Sequence, residues 1–113
     1  MELKTNEINK MYRTLFLDYA KDTAAGLENM LPEERPLEKD DQIIYDTADL
    51  ISDLLKSLEK DTPFSVDIQK INDLGAQIND LALRAPFLPE DIATLDRAGL
   101  ILWYIKYAAE ADK

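Results

Sequence analysis

Ala98-Gly99-Leu100-Ile101-Leu102-Trp103-Tyr104-Ile105-Lys106-Tyr107-Ala108-Ala109 is the stretch on which the fold turns. Lys106 is its single charge, and nearly every other position is apolar or aromatic. A surface helix of a globular protein buries one stripe and wets the other. Read as a helix, this stretch has two apolar faces. Leu95, Ala98, Leu102, Ile105 and Ala109 make one, and Leu100, Trp103, Tyr104 and Tyr107 recur at i, i+3, i+4, i+7 on the other. Both need cover. In a closed bundle the first helix covers the second face; otherwise that face is free to dock something.

The segment before it carries a seven-residue repeat. Ile71-Asn72-Asp73-Leu74 returns as Ile78-Asn79-Asp80-Leu81, which puts Ile and Leu at a- and d-like places. Two heptads are too few for a coiled coil and suit the seam of a bundle. Thr62-Pro63 or Ser65 is expected to open this helix, which is read as residues 63–84. Pro86 to Pro89 form a tight joint, with Phe87 and Leu88 expected to plug the end of the core. Pro89, Glu90 and Asp91 mark the start of the last helix, residues 89–110. Gly75 and Gly99 each lie twelve residues from Phe87. At equal rise they fall at one level of a hairpin. Since each glycine costs roughly 1 kcal/mol in a helix, a close backbone contact between the two helices is expected there.

Two further amphipathic segments precede these. Ile8, Tyr12, Leu15, Phe16, Tyr19, Thr23, Leu27 and Met30 share helical spacing over residues 6–31, where Gly26 is expected to loosen the last turn and Pro32 to end the helix. Ile44, Ala48, Ile51, Leu54, Leu55 and Leu58 do the same over residues 41–60, with Asp40 or Asp41 as cap. Four such segments with short connections predict an all-α, antiparallel four-helix bundle in a single domain spanning residues 1–113. The alternative is a pair of helical hairpins that complete their core by dimerising.

Composition bounds the chemistry. The chain has 113 residues, 46% hydrophobic and 32% charged, which is enough to fold but gives a modest core. It has no cysteine and no histidine. Disulfides, thiolate metal sites and cysteine nucleophiles are excluded, and so are the commonest general base and transition-metal ligand. Such a chain fits a cytoplasmic location. No apolar run approaches the ~20 residues of a membrane span, and the first ten residues are polar, without a signal peptide. No P-loop, GxGxxG, GxSxG or HExxH occurs, so neither catalytic residues nor a cofactor is expected. A magnesium carboxylate site is the one enzyme reading left open, using Asp46, Asp49 and Asp53 or Asp73 and Asp80. Helical nucleotide pyrophosphohydrolases hold magnesium with an ExxE answered by ExxD on the next helix. No predicted helix here carries ExxE.

The net charge is −10. Naked nucleic acid and anionic membranes are repelled, and a basic partner is attracted. Residues 32–61 hold ten acids against four bases, so most of that charge is local. Asp46, Asp49 and Asp53, with Tyr45 beside them, present carboxylates about one helical turn apart, opposite the buried stripe. The expected function is therefore protein–protein recognition, with Asp46, Asp49 and Asp53 supplying charge, Tyr45 as a contact beside them, and Leu100, Trp103, Tyr104 and Tyr107 the apolar anchor. In character, though in no motif, this resembles phage anti-defence proteins (anti-CRISPR proteins among them), DNA mimics and toxin immunity proteins, small acidic helical chains that neutralise a larger and often basic partner. The alternatives are a homo-oligomeric structural or adaptor protein and a small-ligand sponge near Trp103 and Tyr104.

Overall fold

The starts of the last three helices each follow from one or two residues. The backbone N–H of Glu38 donates to Asp41 Oδ2 at 3.0 Å, while Gln42 N–H donates to the Glu38 carbonyl at 2.9 Å. Glu38 is thus the cap residue, and Asp41 is the third-position acid that reaches back to it. The expected cap at Asp40 or Asp41 is corrected to Glu38, two or three residues earlier. Asp67 caps the third helix: its Oδ1 accepts from Lys70 N–H at 3.2 Å and its carbonyl from Ile71 N–H at 3.0 Å. The Leu88 carbonyl accepts from Asp91 and Ile92 N–H, which leaves Pro89 in the first helical position where its missing N–H costs nothing.

The computed structural model describes residues 2–3, 13–34, 36–60, 64–65, 67–84 and 88–111. In chain order they form β1 (Glu2–Leu3), α1 (Arg13–Asn29), α2 (Lys39–Lys60), β2 (Phe64–Ser65), α3 (Ile68–Arg84) and α4 (Pro89–Ala111). The four helices make an all-α bundle. Around it, α1 packs on α2, α2 on α3, α3 on α4 and α4 on α1, so α2 and α4 occupy diagonal corners. The expected opening of the third helix at residue 63 is corrected to Ile68. Phe64 and Ser65 are instead extended and pair antiparallel with Leu3 and Glu2. That two-stranded clasp, which the sequence reading lacked, sets β1 against α4 and β2 against α2. Thr62, Pro63, Phe87, Ile8 and Tyr12 lie outside the described residues, as do the side chains of Leu15, Phe16 and Ala109.

One continuous core draws on all four helices. The heptad positions Ile71, Leu74, Ile78 and Leu81 are all buried, as are Leu95, Ala98, Ile101, Leu102 and Ile105 of α4. Ile44, Ala48, Ile51, Leu54 and Leu58 are buried on α2, and Ala20, Thr23, Ala24 and Leu27 on α1. Thr23 and Thr47 hide their hydroxyls by donating to the carbonyls one turn back, those of Tyr19 and Ile43. Leu88 does not plug the core. It is 61% exposed, because its carbonyl is committed to capping α4 at the edge of the bundle. At the surface Arg84 donates to Asp80 one turn back at 2.8 Å and reaches Asp40 of α2 at 3.3 Å. Water screens this pair of contacts.

The glycine spacing predicts the right neighbourhood but not the contact. Gly75 and Gly99 do line one groove between α3 and α4. Yet a Cβ at either would meet nothing within 4 Å, so they make no close backbone contact. The close approach is at Gly26, where a Cβ would lie 2.9 Å from Thr94 Cγ2 and 3.0 Å from its Oγ1. Thr94 is buried, β-branched and fixed by donating to the Glu90 carbonyl at 3.0 Å, so it has little room to move. Gly26 is thus the place where α1 meets α4, not a loosened last turn.

Two alanine substitutions at helical glycines should therefore have opposite signs in urea unfolding. Gly26→Ala overpacks the α1–α4 contact, at ~1–3 kcal/mol, and outweighs the ~1 kcal/mol gained in helix propensity. Gly75→Ala meets no obstacle and should stabilise by up to ~1 kcal/mol. Equal signs would refute this assignment of the helix contact.

Candidate functional surfaces

The outward side of α4 is built by the same helix that fills the core. Successive side chains are 100° apart, so positions 95, 98, 102 and 105 point in while 96, 99, 100, 103 and 107 point out. Leu100 is 60%, Trp103 62% and Tyr107 60% exposed. The described part of α1 leaves this face open. Trp103 and Tyr107, one turn apart, stack with ring centroids 5.4 Å apart and planes 14° from parallel, an arrangement that holds both rings as one rigid apolar plate. Tyr104 departs from the other three: it is half-buried, packs against the core, and burial pushes its phenol pKa up.

Beside the plate runs a groove of about 520 Å³ between α3 and α4. Its α3 wall includes Asn72, Gly75, Ala76 and Asn79, and its α4 wall includes Asp96, Gly99, Leu100, Trp103 and Lys106. The two glycines widen it by leaving out side chains. Its size alone would admit a small molecule, but it is an open groove with an exposed indole on its rim, which suits the side chains of another protein better than an enclosed ligand.

The acidic row lies elsewhere. Asp49 and Asp53 of α2 are exposed and gather with Ser65, Asp67 and Lys70 around a smaller dent of about 330 Å³ on the other flank of α3. Asp46 stands outside that dent, and its Oδ1 accepts from Gln42 Nε2 at 2.8 Å. Tyr45 is 46% exposed beside it. Ile71 borders both groove and dent. The structure therefore brings Leu100, Trp103 and Tyr107 together and brings Asp49 and Asp53 together. It holds the two sets on diagonal helices, separated by the width of α3. Sequence spacing shows which side chains share a helix face, but carries no information on which helices are diagonal. The groove itself was also missed, and the paired glycines were its one signal, misread as a contact.

Among the described residues, no group of three or more carboxylates is placed to hold a metal ion. None of the helices so described is long and apolar enough to cross a membrane. Comparison with protein families, with curated proteins and with solved structures finds no match to this chain.

Trp103 is the only tryptophan, so its emission reports on this face alone. In dilute protein, acrylamide should quench it nearly as well before urea unfolding as after. Quenching that rises several-fold on unfolding would show the indole to be shielded in the fold.

Proposed function

We propose that this chain works by protein–protein recognition: a small acidic helical module that docks on a larger partner and inhibits or neutralises it, with no catalytic step of its own. The observation that carries this reading is the line of Leu100, Trp103 and Tyr107, three large apolar side chains that a finished core would have covered. Tryptophan and tyrosine at such a site bury large area with little loss of side-chain freedom, the usual make-up of interface hot spots. The row at Asp46, Asp49 and Asp53 supplies the long-range attraction, which favours a basic partner and speeds encounter with it. Because α2 and α4 are diagonal, the partner meets the two surfaces with different parts of itself, or the two surfaces serve different contacts. A phage anti-defence or toxin-immunity role is consistent with this character. Self-association is a second reading, favoured by the charge pattern of the α4 groove.

The test is capture from an extract of the source organism at low salt, followed by mass spectrometry, with three forms of the chain side by side. A protein held by the wild type should be lost with Trp103→Ala or with the pair Asp49→Lys and Asp53→Lys, and should elute as salt rises from roughly 0.05 to 0.5 M. Both variants should unfold within about 1 kcal/mol of wild type, because the substituted side chains are largely exposed. Identical captures by all three forms would contradict the reading.

A further inference from the structure

The groove side of α4 has an internal symmetry. Asp96, Gly99, Leu100, Trp103 and Lys106 all line the groove, on one face of the helix. Leu100 and Trp103 project from it, while Gly99 is a gap where even a Cβ would touch nothing within 4 Å. Asp96 and Lys106 stand ten residues apart, about 15 Å along the axis, and are the only charged residues of the lining. Asp96 and Lys106 are each five positions from Ile101, and Gly99 and Trp103 are each two positions from it.

A second α4 laid antiparallel across the first, about a two-fold axis that crosses the outward face at the level of Ile101, therefore meets matching chemistry. Each Asp96 carboxylate falls opposite a Lys106 ammonium, and each Trp103 indole falls over the gap at Gly99. We propose that this face is the two-fold interface of a homodimer. The proposal rests on the reading of the α4 face as a protein-docking surface, and it names a second copy of the chain as the occupant when the larger partner is absent. Two molecules of net charge −10 repel each other over most of their surface. They can approach where charge balances, and the groove lining holds one acid and one base. The acidic row on diagonal α2 stays clear of the contact and open on each copy. Three side chains of this size, ~60% open, offer on the order of 300 Å² of apolar surface per copy. A standard stable interface buries about 800 Å² per partner, which this face does not reach, so the dimer is a weak one.

The sign of the charges makes the test specific. Sedimentation of the full chain at low salt, from low to several hundred micromolar, should show monomers giving way to dimers and stopping there, since a two-fold contact closes on itself. Asp96→Lys places like charges opposite each other twice, and so does Lys106→Glu. Each should weaken self-association about tenfold or more. An equimolar mixture of these two variants should dimerise again, because both cross-pairs are then of opposite charge. Gly99→Leu, whose Cβ meets nothing within 4 Å in the monomer and whose further atoms enter the open groove, should keep wild-type helical content and abolish the dimer by filling the gap. A wild type that stays monomeric, one that forms larger assemblies, single charge variants that dimerise as well as wild type, or a mixture that does not recover would each overturn the proposal. A monomer whose Trp103 is freely quenched overturns the dimer alone and leaves the face for another protein. A monomer with a shielded Trp103 overturns the docking reading as well.

Discussion

Everything in this bundle depends on α4 being packed on its inner side while staying apolar on its outer one. Leu95, Ala98, Ile101, Leu102 and Ile105 are at most 1% exposed and meet core residues from the other three helices. Each such side chain is worth ~1.5–3 kcal/mol in apolar burial. A chain of 113 residues has few other places to find that stability. The inner face is therefore fixed by folding. The outer face is not: nothing in the core requires leucine, tryptophan and tyrosine at 100, 103 and 107, and solvent would ordinarily favour polar residues there. The fold leaves that face unexplained, which is the ground for the proposed docking role.

Charge and apolar surface are kept apart by the same architecture. The packing order places α2 and α4 on opposite corners, so the acidic row and the aromatic plate do not share a face. The row's carboxylates repel one another at close range and draw in cations at long range. The plate gains only on contact. Separating them lets the molecule carry a large net charge without charging its exposed apolar surface.

The heptads Ile71–Leu74 and Ile78–Leu81 were legible because their period matches helix geometry, and all four side chains are buried. The division of the last helix into two faces was legible for the same reason, but not whether the first helix covers the outer one; Leu100, Trp103 and Tyr107 stand outside, and Tyr104 departs from them. Its position between the two faces gives it a share of each. Helix starts were read less well. Thr62-Pro63 is a good local signal for an opening, but the pairing of Phe64 and Ser65 with Leu3 and Glu2 holds the chain extended past it and hands the cap to Asp67. A two-residue strand has no period for a sequence to display. The glycines show the same limit. Equal spacing gave the shared level of Gly75 and Gly99 correctly, but whether a missing side chain faces a neighbouring backbone or an open groove depends on helix rotation, which spacing does not contain.

The central claim is that one helix presents a core and a free surface two residues apart. Urea unfolding of Leu102→Ala and Leu100→Ala compares them directly, with the same atoms removed from the same helix. Leu102→Ala should lose about 2–5 kcal/mol, as buried leucines do, and Leu100→Ala should stay within about 1 kcal/mol of wild type at protein concentrations low enough to prevent association. Comparable losses at both positions would contradict the account, because the outward face would then be part of the core.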